Sequence, residues 1–291
     1  MEHQLYRAIV ALLATLDQPP TPARFDFSHA RVAQVYYWAA LHDRPVSWAC
    51  RRSSWPIHLR RQPLPSAATM SRRLRSPAVR ALLDALERRV VAPRTPAAFW
   101  AIDGKPLPIG GASKDRQAGY GRAARGKARG YKVHAIVGGG GIAAWRLAPM
   151  HKDERTMAAR LLRSVPLAGY LLADANYDSN PLHDLCEGLG GLQLLTPRRY
   201  GAGHGLGHHR HSPGRLRCVA RAEGPFPAFA RGLLRERGGI ERCYGNLVNW
   251  GGGLSALPAW VRTHRRVHRW VQAKLVLTAL KHAPELRTYV A

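Results

Sequence analysis

Two apolar runs in this chain, Phe99-Trp-Ala-Ile-Asp103 and Tyr170-Leu-Leu-Ala-Asp174, each stop on an aspartate. Runs of this length and composition read as buried strands, and an acid at the end of each is delivered on stiff backbone. A later helix-like stretch, Gly239-Ile-Glu241-Arg-Cys-Tyr-Gly245, carries a third acid. Hard oxygen ligands of this kind suit Mg²⁺ or Mn²⁺ rather than zinc. The placement stands out because acid is scarce: 18 Asp and Glu face 45 Lys and Arg, a formal charge of +27. A metal cluster in so basic a chain points to polyphosphate chemistry, with nucleic acid as the natural counter-charge.

Arginine supplies most of the excess, as a GC-rich coding bias would also produce. Lysine does not follow that pattern, because four of the seven lysines (Lys105, Lys114, Lys127, Lys132) fall just after Asp103. With 291 residues and 46% hydrophobic content, the chain can bury a sizeable core. Cys50, Cys186, Cys218 and Cys243 form no C-x-x-C pair, so neither a zinc knuckle nor a disulfide frame is signalled. No signal-peptide pattern and no run of about 18 apolar residues is present, which leads us to expect a cytoplasmic, nucleoid-associated protein with no membrane contact.

Residues 1–92 read as a helical domain, from apolar spacings such as Leu5-Ile9-Leu12-Leu16 and Val79-Leu82-Leu83-Leu86. Within it, Ser66 can cap a helix bearing Arg72 and Arg73. With a helix near Val46 to Cys50, that segment makes a candidate helix-turn-helix, whose Ser66, Arg72 and Arg73 suit phosphate and base-edge contacts. A solvated face of an ordinary bundle fits the same residues. Ala92 to Ala97 reads as a linker.

Residues 93–291 read as a second domain. Strands are expected up to Asp103, over Tyr131 to Val137 and over Ile142 to Leu147, with a Gly, Lys and Arg-rich loop from Gly110 to Gly130. A helix from Asp153 to Ser164, the strand ending at Asp174, a helix near Pro181 to Gly188 and a strand over Leu192 to Thr196 follow. A polar gap from Arg198 to Pro227 then leads to the helix holding Glu241. The gap contains His204, His208, His209 and His211 and reads as a flexible loop rather than a metal site. The order βββ-α-β-α-β-α is that of an α/β, ribonuclease H-like mixed sheet flanked by helices.

Asp103-Gly-Lys-Pro, Gly119-Tyr-Gly121 with Gly130-Tyr-Lys-Val-His134, Leu172-Ala-Asp174-Ala-Asn-Tyr-Asp178 and Gly239-Ile-Glu241-Arg242, taken in order, resemble the catalytic domain of bacterial insertion-sequence DDE transposases of the groups numbered four and five. The resemblance runs over roughly residues 98 to 282. It implies that Asp103, Asp174 and Glu241 are both the catalytic residues and the ligands of two Mg²⁺ or Mn²⁺ ions. Such an ion pair activates a water or 3′-hydroxyl on one side of a phosphodiester and stabilises the leaving oxygen on the other.

The resemblance further implies cleavage of element ends, strand transfer into target DNA, and a homodimer on double-stranded DNA. Arg237, four residues before Glu241, shares its helical face and matches one position of the family's DNA-contacting signature. Leu234 and Val248 stand where that signature has Tyr and Lys. Arg242, Arg235 or Lys132 are the replacements available for the DNA contacts, and Lys132 and Arg237 fit structural ion pairs equally well. Asp178 and Asp153 read as caps or supporting groups. A nuclease on the same fold that lacks strand transfer, and a non-cutting DNA-binding remnant, are the alternative readings. Trp260 to Trp270 alternates aromatic and basic residues, suiting packing and backbone contacts.

Overall fold

The computed structural model describes residues 1–17, 20–111, 113–124, 126–199, 212–225, 227–249, 253–254 and 256–282. The chain divides into two compact units, one of Met1–Val91 with Asn246–Ala291 and the other of Ala92–Gly245.

The first unit contains α1 (Glu2–Thr15), α2 (His29–Leu41), α3 (Val46–Ala49), α4 (Ala67–Arg73) and α5 (Pro77–Val91). Ser28 and Ser66 cap α2 and α4 by accepting from the N–H groups of Arg31 and Thr69, which leaves fewer unpaired donors at each helix start. The apolar spacing of α5 becomes its buried face: Val79, Leu82, Leu83, Leu86 and Val90 are all enclosed. The central element is α2, buried over almost its whole length.

Between α3 and α4 the chain runs from Cys50 to Ser66 through two short 3₁₀ turns, at Arg52–Ser54 and Ile57–Leu59. That connection is far longer than the three or four residues of a helix-turn-helix. The expected motif is therefore not formed by α3 and α4, and α4 instead joins α5 through Leu74, Arg75 and Ser76.

The second unit contains β1 (Phe99–Pro108), β2 (Gly119–Ala123), β3 (Gly126–Gly138), β4 (Gly141–Pro149), α6 (Glu154–Leu162), β5 (Gly169–Leu172), α7 (Asn180–Gly188), β6 (Leu192–Leu195), α8 (Pro213–Glu223), α9 (Ala228–Glu236) and the start of α10 (Gly238–Val248). The strands form one sheet in the order β2-β3-β1-β5-β6, with β4 also paired to β3. β1 runs antiparallel to β3 and parallel to β5, and β5 runs parallel to β6. This is the mixed, ribonuclease H-like α/β sheet that the element order predicts. One face is sealed by Ala158, Leu161 and Leu162 of α6 against Trp100, Ile102 and Ile136, with Leu171, Tyr177 and Cys186 in the same core. Burying such side chains contributes roughly 1.5–3 kcal/mol each.

Three local expectations change. β1 continues past Asp103 to Pro108, because Leu107 and Pro108 stay paired with Tyr131 and Gly130. β2 lies inside the expected Gly110–Gly130 loop, held by pairing with an extended β3. The expected polar gap contains α8, with Pro213 in its first turn and Ser212 as its cap, and α9. His204, His208, His209 and His211 lie outside the described residues.

The C-terminal helix α11 (His264–His282), expected with the catalytic domain, belongs to the first unit. There Gln272 Nε2 donates to Asp84 and Glu87, and the fully buried Lys274 donates to Ala40 O at 2.6 Å and Asp43 Oδ1 at 2.5 Å. Burial pushes the Lys274 ammonium down to about 8, against the opposing charge and hydrogen bond of Asp43. All four cysteines are free, and among the described residues no helix is long and apolar enough to cross a membrane.

Candidate active site

The parallel register of β1 and β5 pairs Ala101 with Leu172; Asp103 lies two residues further along β1, and Asp174 two residues past Leu172, just beyond the end of β5. Adjacent strands are about 4.8 Å apart, and positions two residues on share a face. The sheet thereby sets two carboxylates side by side. Asp103 Oδ1 accepts from Gly104 N at 2.7 Å. Asp174 ends the strand by capping the 3₁₀ turn Ala175–Tyr177, accepting from Asn176 N at 2.8 Å.

Burial pushes the Asp103 carboxyl up to about 6; the Gly104 N–H and the Arg237 guanidinium oppose this, while the negative charges of Asp174 and Glu154 add to it. A carboxyl so placed keeps its proton to a higher pH than an ordinary aspartate does. The contribution of Glu154 was missed at the sequence level, where only its neighbour Asp153 was singled out. Asp153 does cap α6, accepting from Thr156 N at 2.9 Å, and the residue one step on in the first turn faces the acids. The available signal was two consecutive acids in an acid-poor chain, at a helix start directly after a strand.

The Tyr177 hydroxyl is fully buried and has no hydrogen-bond partner. Burial raises its pKa well above the usual phenol value, helped by the charges of Glu154, Asp103, Tyr244 and Asp174. The charges of Asp103, Asp174 and Glu154 all act on this hydroxyl, and carboxylate oxygens are donors of the kind a hard divalent cation takes. Glu154 is paired with Lys132, whose Nζ lies 2.6 Å from Oε1. Lys132, expected at DNA, is itself buried.

Gly104 makes this packing possible, since a Cβ there would lie 2.7 Å from Lys132 Cδ and 3.1 Å from Glu154 Oε1. Gly104→Ala is expected to cost about 1–2 kcal/mol by overpacking, read as a lower urea midpoint; an unchanged midpoint would mean that the Lys132–Glu154 pair yields freely. Beside it His134 is buried with neither ring nitrogen partnered, and burial, with the Lys132 charge, pushes it down to about 4.

The helix bearing the third acid is tied to β1 by Tyr244, whose hydroxyl donates to Asp103 O at 2.9 Å. Glu241, three residues earlier, shares that side of α10. Its carboxylate is more than half exposed and accepts from Arg237 Nη2 at 2.8 Å, the i,i+4 pair that the spacing predicts. Among the described residues no three His, Cys, Asp or Glu side chains converge closely enough to cage an ion. Arg242 is exposed on the same helix.

Of the other expected DNA contacts, Ser66 is occupied as the α4 cap and Arg72 is exposed. Arg73 is buried: it donates to Phe27 O at 2.9 Å, lies 2.8 Å from His29 Nδ1 and stacks over Phe25. Its position at the inward side of α4 makes it a packing residue.

The fold is a ribonuclease H-like one that brings Asp103 and Asp174 to neighbouring positions at its central strands. Residues 95–277 match the family model described as the transposase DDE domain, and the chain belongs to that family. Among solved structures, the chain is similar to the piggyBac transposase in a cryo-EM synaptic complex with hairpin DNA. The identity there is 11%, the TM-score 0.47, and the match covers 99% of this chain and 75% of that one. No curated protein matches the chain.

Proposed function

We propose that this transposase-family protein is an insertion-sequence enzyme that cuts element ends and joins them to target DNA, working as a homodimer in the cytoplasm. The observation that carries the reading is the β1–β5 register, which sets Asp103 beside Asp174, with the Glu154 charge acting on Asp103. Asp103, Asp174 and Glu241 would hold Mg²⁺ or Mn²⁺, two ions in all. Bound there, the ions supply Lewis acidity for phosphodiester cleavage and for attack by a 3′-hydroxyl.

The chain's own residues prepare that site. Asp103 and Asp174 sit on backbone fixed by the sheet and by a cap, so little rearrangement accompanies loading. Glu241 reaches the site by leaving Arg237, whose freed guanidinium then faces a DNA phosphate together with Arg242. An exposed i,i+4 pair of this type is worth only about 0.3–0.5 kcal/mol, so the exchange is inexpensive.

The test is an end-labelled element terminus incubated with supercoiled target. Wild type yields nicked ends and joined product; Glu241→Gln yields neither, yet still binds the end. Nicks without joined product from wild type would replace this reading with that of a nuclease on the same fold, and undiminished nicking by Glu241→Gln would remove Glu241 from the site.

A further inference from the structure

We propose that the β2–β3 hairpin of the second unit is a stacking site for an unpaired nucleotide of single-stranded DNA, on the sheet face that carries Asp103. Tyr120 pairs with Arg129 and Arg122 with Lys127, and side chains alternate along a strand, so these four residues share one side of the hairpin. Every residue on its other side is small: Gly119, Gly121 and Ala123 of β2 and Gly126, Ala128 and Gly130 of β3. There the hairpin is pressed against the chain just after β4. A Cβ at Gly121 would lie 2.5 Å from Met150 O, and one at Gly119 would collide with the His151 ring. The packed side thus has room only for glycine and alanine, and the outward side combines one aromatic ring with three cations and no acid.

Tyr120 is 61% exposed, whereas Tyr131, two residues beyond Arg129 on β3, is fully buried. Its ring lies between fixed and free charge. Arg129 is anchored, donating Nε to Ala118 O at 3.3 Å, Nη1 to Ser113 O at 3.1 Å and Nη2 to Asp115 O, with its Cζ 6.0 Å from the Tyr120 ring centroid. Lys127 Nζ lies 5.9 Å from the same centroid. Arg122 and Lys127 are exposed, and among the described residues no salt bridge holds either. An exposed ring offers its π-face to a base while neighbouring cations meet the flanking phosphates. Bases inside a duplex are covered on both faces, so this ring selects unpaired ones.

β3 runs without a break from Gly126 to Gly138, and Ala135 is the partner of Asp103. Lys127, Arg129 and Ala135 are even numbers of residues apart and so face the same way as Asp103. At about 3.3 Å per residue, Tyr120 and Arg129 stand roughly 20 Å along the sheet from that carboxylate. A strand engaged at Asp103 can therefore be held at the hairpin as well. The identity of the nucleic acid as DNA rests on the transposase reading; the ring, the charges and their shared face do not.

The experiment measures binding of full-length protein, without divalent ions, to a blunt duplex and to the same duplex with a short single-stranded tail at its 3′ or 5′ end. Wild type is expected to prefer a tailed duplex and to quench 2-aminopurine placed in the tail. Tyr120→Ala weakens binding of the tailed duplex about 10-fold and abolishes the quenching, with binding of the blunt duplex unchanged; Tyr120→Phe retains both. Arg122→Gln with Lys127→Gln lowers the slope of log K against log salt on the tailed duplex by about 1.4. Wild type also loses the preference when the tail is abasic. No preference for either tail, a preference kept for the abasic tail, or equal losses by Tyr120→Ala on tailed and blunt DNA would overturn the proposal. Nicking with Mg²⁺ separates this from the catalytic reading: Asp103→Asn keeps the tail preference and does not cut. Cutting by Asp103→Asn would sink the catalytic reading and leave the stacking site standing, whereas a wild type that cuts without preferring a tail would do the reverse.

Discussion

Asp103→Asn is expected to reduce Mg²⁺-dependent nicking by at least about 10³-fold, the scale of losing one contact to transition-state charge, and at the same time to stabilise the metal-free protein. The second effect follows from the environment of the carboxyl. Burial, Asp174 and Glu154 hold Asp103 up at about 6, against an ordinary value of 3.8. A carboxyl whose folded pKa is raised binds its proton more tightly when folded, so the wild type loses stability as pH rises from about 4 to 6 and carries the full penalty above that.

Asparagine removes the charge and keeps an oxygen for the Gly104 N–H. The variant should therefore gain about 1–3 kcal/mol at pH 8 and nothing below pH 4. Denaturant melts of metal-stripped protein at both pH values measure this. Equal stability of the two proteins at pH 8 would show that Asp103 bears no like-charge burden, and the paired-carboxylate site would lose its electrostatic basis.

Asp178→Ala is expected to be the most destabilising single change in the second unit, costing about 3–5 kcal/mol. Asp178 sits just past the turn that begins at Asp174 and accepts from Arg215 Nε and Nη2, both at 2.8 Å, and from Arg199 N at 3.0 Å; His183 Nε2 lies 3.4 Å away. Both partners of the Arg215 pair are almost completely buried. Deleting the carboxylate leaves a buried guanidinium without its counter-charge. For a unit of this size that loss lowers the melting temperature by roughly 10 °C.

The pH dependence has the opposite sign to that of Asp103. Burial by itself raises the Asp178 pKa, but hydrogen bonds from Arg215, His183 and the Arg199 N–H outweigh it and hold the carboxyl well below the usual range. Its contribution is fully present above the unfolded value of about 4 and fades as pH falls through the folded one. The variant and wild type should converge only in strong acid. A loss under 1 kcal/mol at pH 7 would show that Arg215 finds another partner, and that Asp174 does not depend on this clamp for its position.

The sequence made some of this legible because short-range physics decides it. Ser66 and Asp153 cap helices where a polar side chain precedes an apolar periodicity, and Glu241 meets Arg237 because residues four apart share a helical face. Other features depend on pairing that no local window contains. Gly119-Tyr-Gly-Arg-Ala123 shows no apolar alternation, yet it forms β2 because β3 extends far enough to supply its hydrogen bonds. Lys132 reads as an exposed cation among other lysines, and only the packing of α6 on the sheet brings Glu154 to it. Arg73 and Arg75 are indistinguishable by type; α4 buries the first, and the second, past the end of the helix, is exposed.

By itself the sequence determined the mixed sheet, the two strand-borne aspartates and the polyanion-seeking charge, since these follow from apolar runs, acid placement and composition. Tertiary structure alone decided that α11 joins the N-terminal helices, that Arg269 of α11 is fastened to the end of α4, and that Glu154 stands with Asp103 and Asp174. The reason is common to all three: which faces of separate elements meet is set by the summed burial of many side chains, a quantity spread over the whole unit and written at no single position.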